Sequence, residues 1–381
     1  MWFKRKGIWL GVILLLLVAL LGTTVLGCIQ RSQPKGWSGG TVADGTLFLG
    51  SLEGKLVAVD ISNETRLWAV LLETPAPAGG GCAAPSVPGA IYGNPAVDGE
   101  LVYIGGYSGK IYAVNSNSGA ERWVYPRTGK LKPIVGGPVV SQGKVYIGGS
   151  SGKVYALDAA TGDNEWEFQT GGEIWSTPAI VDETLYIGSF DKKLYAIDTI
   201  TGKEKWAFET QGAIVAVPLI YDDTIYIGSF DRHFYAVEAT EGKQIWQFPA
   251  TDEDKNKPES WFWAKPVVYN NVIYAPCLDG KIYILDAKSG EELAEPIDVG
   301  SPIASSPILV DSSIIIASEE GKVYSLDTAS NQVRELTSLK EEEKVHAPLS
   351  ASEGTVFIHT DEDTLYAVDS ETGAKRELYI E

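Results

Sequence analysis

Residues 176–206 carry a hydrophobic and polar pattern that returns along most of the chain. Ser176-Thr-Pro-Ala-Ile-Val, Thr184-Leu-Tyr-Ile-Gly, Leu194-Tyr-Ala-Ile-Asp198 and Gly202-Lys-Glu-Lys-Trp206 are four short runs separated by turn residues. Runs of this length, rich in β-branched and aromatic side chains, predict strands joined by tight turns, with apolar and polar positions alternating. The acidic or amide residue ending the third run recurs as Asp60, Asn115, Asp158, Asp198, Glu238, Asp286, Asp327 and Asp369. These landmarks mark eight units, most about 40 residues long, and two wider intervals mark insertions.

A second landmark keeps the same register. Proline opens the first run at Pro95, Pro138, Pro178, Pro218, Pro266, Pro307 and Pro348, with Gly40 in its place in the first unit. Proline cannot donate to a strand ladder, so the first run is expected on a sheet edge. The small residues two before it (Gly93, Gly136, Ser176, Ala216, Ala264 and Ser305) suit a crowded axis, and His346 breaks that pattern. A third landmark is tryptophan eight residues after the acidic position: Trp68, Trp123, Trp166, Trp206 and Trp246. Units six to eight carry Ala294, Glu335 and Glu377 at that offset, which predicts weaker contacts there.

The run Ala156-Leu-Asp158-Ala-Ala-Thr-Gly162-Asp-Asn-Glu-Trp166 resembles the tryptophan-docking motif of the pyrroloquinoline-quinone (PQQ) repeat family. The resemblance covers residues 39–381. It implies a β-propeller in which each ring packs between neighbouring blades and the glycine supplies the turn. The expected fold is all-β, an eight-bladed β-propeller of four-stranded antiparallel blades. Closing the ring removes the sheet edges that would otherwise aggregate. The chain is expected to close at a blade boundary, without strand exchange between its ends. Composition agrees, since 41 glycines, 18 tyrosines and 11 tryptophans suit many tight turns and aromatic strands.

Residues 1–27 read as an export segment: Lys4, Arg5 and Lys6, then an uncharged apolar run to Gly27. Two alternatives stand. The run is long enough to span a bilayer as an uncleaved anchor. It also ends in Val25-Leu26-Gly27-Cys28, which resembles a bacterial lipobox and would make Cys28 a lipidated N-terminus. Both place the remainder outside the cytoplasmic membrane, with residues 28–38 as a tether. The formal charge is −19, and so acidic a surface repels phosphate backbones, which excludes nucleic acid as a natural partner.

Catalytic machinery is sparse. The PQQ-repeat family includes quinoprotein alcohol dehydrogenases, which the resemblance implies would hold quinone and calcium in the channel. Their adjacent cysteine pair and long roofing insertions are missing here, and no D-x-[DN]-x-[DN]-G calcium loop occurs. His233, His346 and His359 fall at non-equivalent positions in three units, against a His-based metal site. Asp252-Glu-Asp254 and Asp361-Glu-Asp363 read as solvated turns. No cofactor is expected. Length, blade number and the lipobox-like start resemble the other branch, the BamB-type lipoproteins of outer-membrane protein assembly. The leading expectation is a non-enzymatic, monomeric propeller that binds an extracytoplasmic or membrane protein. A small-ligand or polysaccharide binder, or a PQQ-dependent oxidoreductase, are the alternatives.

The two insertions are the best local clue. Both join the fourth strand of one unit to the first of the next, and so share a face with the turns between strands two and three. The first, around Thr74–Ile91, is rich in Pro, Gly and Ala. The second, Ala250–Trp263, ends in Trp261-Phe262-Trp263, and three successive aromatics cannot all point inward. These three are the candidate partner-binding residues. Cys82 and Cys277 are expected on this same face, where they are either two free thiols or a disulfide.

Overall fold

The computed structural model describes residues 37–72, 89–251, 253 and 255–378. Every regular element among them is a β-strand, and the strands fall into eight four-stranded antiparallel sheets of consecutive strands. Blade four is typical, with strands Ala179–Val181, Thr184–Gly188, Lys193–Asp198 and Glu204–Glu209. All eight acidic or amide landmarks end the third strand of their blade. The predicted eight-bladed propeller is the fold.

Each blade is sandwiched between two others, and this changes the expected alternation. Leu194 to Ile197 in the third strand are all buried, as are Leu185 to Gly188 in the second. Strands covered on both faces read as continuous apolar runs. Alternation survives in the outer fourth strand, where Trp206 and Phe208 turn inward between exposed neighbours. Burial is organised by interface, with one apolar cluster between each pair of adjacent blades.

The tryptophans hold these interfaces. Trp246 of blade five donates from Nε1 to the Ala287 carbonyl of blade six (3.0 Å), just past Asp286. Trp68, Trp123, Trp166 and Trp206 make the same bond to Ser116, Ala159, Thr199 and Ala239, each one residue past the next blade's landmark. The glycine of the motif has two reasons to be glycine. At Gly202 the backbone is left-handed (φ +68°), and a Cβ would lie 2.7 Å from the Trp166 ring. A second-strand tyrosine shares the acceptor: Tyr226 Oη also donates to Ala287 O (2.9 Å).

The remaining interfaces are built differently. Pairing places Arg334 opposite Ser325 and Arg376 opposite Ala367, the register that tryptophan holds elsewhere. Glu335 and Glu377, at the predicted offset, pair one residue along, because blades seven and eight lack the bulge that precedes the tryptophan in blades one to five. Ala294 does hold the tryptophan register in blade six. Arg376 of blade eight forms an ion pair with Glu64 of blade one (2.7 Å from Nε). Glu64 (φ +55°) stands where the motif glycine would be, and with no ring to clear its side chain fits.

The ring closes at a blade boundary, as expected. Leu47, Leu49, Val57 and Val59 of blade one pack against Phe357, Leu365, Ala367 and Leu378 of blade eight. His359, 2% exposed, bridges the junction: Nδ1 faces the Ser38 carbonyl (2.8 Å) and Nε2 faces Asp363 (2.9 Å). Asp363 also accepts from the Leu52 amide (3.3 Å). The acidic run at 361–363 therefore takes part in closing the ring, which its composition did not suggest.

The first strands are innermost. Around the axis, Ser38 Oγ donates to Gly93 O, Ser176 Oγ to Ala216 O and Ser305 Oγ to Ala347 O. A Cβ on Gly93 or Gly136 would strike the next blade's backbone at about 2.5 Å. Small residues two before proline are thus required by the approach of adjacent blades.

Candidate functional site

The turns between strands two and three bond to the chain entering the same blade, which puts both on one face. Phe190 N donates to Glu173 O (2.9 Å), Phe230 N to Ala213 O (2.9 Å) and Leu278 N to Trp261 O (3.0 Å). An aspartate in several of these turns fastens the arrangement. Asp279 accepts from the Glu259 amide (3.0 Å) and from Tyr283 Oη (2.7 Å), and Asp191 and Asp231 repeat the pattern in blades four and five. The face is therefore a stiff platform.

Aromatic side chains collect on it. Trp261 is 43% exposed and stacks on Phe230 (4.5 Å, 15°). Trp263 also stacks on Phe230 (5.7 Å), and it meets Trp175 edge-on (6.5 Å). Trp175 and Phe190 extend the group over blade four (4.7 Å). Phe262 does not belong to this surface: it is 1% exposed and packs between Phe234 and Tyr283. It fills the place that Ile174 and Ile214 take at the entry to blades four and five, over Gly228 of its neighbour as they lie over Gly148 and Gly188. The sequence grouped three aromatics, and the structure separates a core anchor from two surface rings.

Across the channel mouth a second group stands on blades one, two and eight. Trp37 meets Tyr92 edge-on (4.8 Å) and lies 5.3 Å from His346, and Tyr92 meets Tyr107 (5.3 Å). Trp37 and the buried Ser38 fall in the stretch assigned to the tether, yet both are part of the ring. Between the two groups the mouth is a cavity of about 540 Å³. Its charged lining residue is Lys265, which is solvent-exposed although the surrounding channel wall lowers its pKa by partial desolvation, and partial burial likewise lowers that of His346. His346 breaks the small-residue pattern because its ring faces this space.

The other predicted positions sort as follows. Cys28 and Cys82 lie outside the described residues. Cys277 is buried in the turn of blade six, where Ser189 and Ser229 stand in blades four and five, and its thiol donates to Trp261 O (3.4 Å). Burial pushes that thiol's pKa up, which suppresses the thiolate. No group of three His, Cys, Asp or Glu side chains suited to a metal occurs among the described residues. The calcium-quinone pair of the dehydrogenases needs oxygen donors with negative charge. The mouth offers the Asn94 amide and no carboxylate among its described lining residues, so this donor set does not fit that pair.

Fold and repeats define an eight-bladed propeller of the PQQ-repeat class. A family profile described as outer membrane protein assembly factor BamB matches residues 29–172 and 150–377, and the chain belongs to that family. The crystal structure of BamB from Moraxella catarrhalis superposes with a TM-score of 0.69 at 19% identity, covering 86% of this chain and 92% of that one. The computationally designed Ika8 protein superposes with a TM-score of 0.68 at 15% identity, covering 92% and 98%. At these identities both likenesses speak for the fold alone. No curated protein matches the chain.

Proposed function

We propose that this protein is a membrane-tethered, extracytoplasmic and non-enzymatic scaffold that docks a protein partner during outer-membrane protein assembly. The exposed stack of Trp261 on Phe230, continued by Trp263, Trp175 and Phe190 on a stiff face, carries this reading. Rigid, partly exposed aromatic rings give large contact area for little lost conformational entropy. Family membership supports the assembly role. Tethering rests on the basic and apolar N-terminal segment, through lipidated Cys28 or an uncleaved anchor. Among the described residues no helix is long and apolar enough to cross a membrane.

The test is crosslinking capture from native membranes with the wild type and with Trp261→Ala/Trp263→Ala. The double variant is expected to keep its melting curve and to lose at least tenfold of the captured membrane-assembly partner. Equal capture by both would remove this face from the function. Dye-linked alcohol oxidation after adding PQQ and calcium would instead favour an oxidoreductase.

A further inference from the structure

The channel mouth has chemistry that the exposed aromatic stack does not use. In every blade the first strand pairs only with the second, so backbone groups on its channel-side edge lie outside the sheet ladder, although beside the strands Gly137 N and Lys265 N are taken by Thr177 Oγ1 and Ser306 Oγ. The floor is apolar, built from Val217, Leu219, Val267 and Ile308. Facing walls are aromatic, Trp175 and Trp263 on one side and Trp37 and Tyr92 on the other. A cavity of about 540 Å³ lies within the roughly 300–1,000 Å³ range of pockets that enclose ligands of drug size.

Charge makes the site selective. The chain has 50 Asp and Glu against 31 Lys and Arg, yet none of the described residues lining this cavity is acidic. Lys265 is their single formal cation. Its backbone amide donates to Ser306 Oγ (3.0 Å), and no carboxylate forms an ion pair with its ammonium among the described residues. Asn94, Thr177 and Ser306 add uncharged polar groups at neighbouring positions of the same ring. A lone cation over an apolar floor, with no carboxylate in the lining and Glu319 and Asp361 reaching only His346 from outside it, is complementary to a single negative charge on an apolar body.

We propose that the channel mouth receives the C-terminal end of an extended peptide, with its free carboxylate on Lys265 and its last apolar side chains between the aromatic walls. A peptide suits the site better than a small organic acid, because its backbone amides can meet the channel-side edges of the innermost strands. The site shares Trp175 and Trp263 with the exposed stack but not Trp261, and Lys265 takes no part in that stack, so Lys265→Gln tests this proposal apart from the scaffold function.

Isothermal titration of the full-length protein in detergent tests this with acetyl-Ala-Gly-Ala-Leu-Phe as the free acid and as the C-terminal amide. The free acid is expected to bind, and the amide to bind at least tenfold more weakly. Lys265→Gln should reproduce the tenfold loss for the free acid, Lys265→Arg should retain most of the affinity, and Trp263→Ala should weaken it. Equal affinity for acid and amide, an unaffected Lys265→Gln variant, or no binding of the free acid would each overturn the proposal. So would 3-phenylpropanoate binding as tightly as the peptide, which would make this a site for small acids.

Discussion

Replacing Trp246 by alanine should separate the strong side of the ring from the weak side. The Trp246 ring is 8% exposed, lies against Gly290 of blade six and donates to Ala287 O. Truncating a buried aromatic of this size costs about 3–5 kcal/mol. At about 2 °C per kcal/mol for a large domain, the melting temperature should fall by roughly 6–10 °C. Arg376→Ala removes an exposed ion pair at the junction of blades eight and one, worth about 0–1 kcal/mol. Trp246→Phe keeps most of the apolar area and loses one hydrogen bond, about 0.5–1.5 kcal/mol. Tyr226 Oη still satisfies Ala287 O, so the cost should lie at the low end. Adding Tyr226→Phe leaves that carbonyl without either donor, and the double variant should lose about 1–3 kcal/mol more than the two single costs combined. Urea unfolding gives the energies, and hydrogen exchange of Gln244–Phe248 and the 286–290 turn locates the effect. Equal destabilisation by Trp246→Ala and Arg376→Ala would refute the assignment of interface strength to the docked rings.

Gly202→Ala and Gly143→Ala form a matched pair. Both residues have positive φ, but a Cβ at Gly143 meets nothing within 4 Å while one at Gly202 meets the Trp166 ring. Gly143→Ala should cost about 1–2 kcal/mol for the backbone, and Gly202→Ala should cost more, as urea midpoints will show; equal midpoints would deny the ring contact. His359→Ala leaves the Ser38 carbonyl without its side-chain donor and should destabilise by about 1–3 kcal/mol. Faster exchange should then be confined to Gly40–Ala43 and its neighbours at the closure. In the turns, hydrogen bonds from Thr161 to Asp158 and from Thr201 to Asp198 lower both carboxyl pKa values below the ordinary 3.8. A lowered folded-state pKa gives stability that is present above the unfolded value and is lost as pH falls through the folded one. The protein should therefore lose stability below about pH 3.8, the ordinary aspartate value, and Asp198→Asn should flatten that limb. Asn115 shows that an amide can hold the same turn, accepting from the amides of Asn117 and Ser118. An unchanged acid limb in Asp198→Asn would count against this cause.

Much of the fold was written in periodic positions. Proline marks the innermost edge because it cannot donate, glycine marks the left-handed turn, and tryptophan eight residues past the acidic position marks the docked ring. These are local constraints, so the sequence by itself determined the blades, their number and five of the interfaces. Tertiary structure decided what depends on distant partners. Which of Trp261, Phe262 and Trp263 is buried follows from the cavity over Gly228, which blade five provides. The arginines of blades seven and eight take the tryptophan register because a bulge is missing, a backbone feature that residue offsets do not encode. His359 and Asp363 join blade eight to Ser38 and Leu52, more than 300 residues earlier in the chain. Trp37, His346 and Lys265 lie far apart in sequence, and only ring closure brings them to one channel mouth.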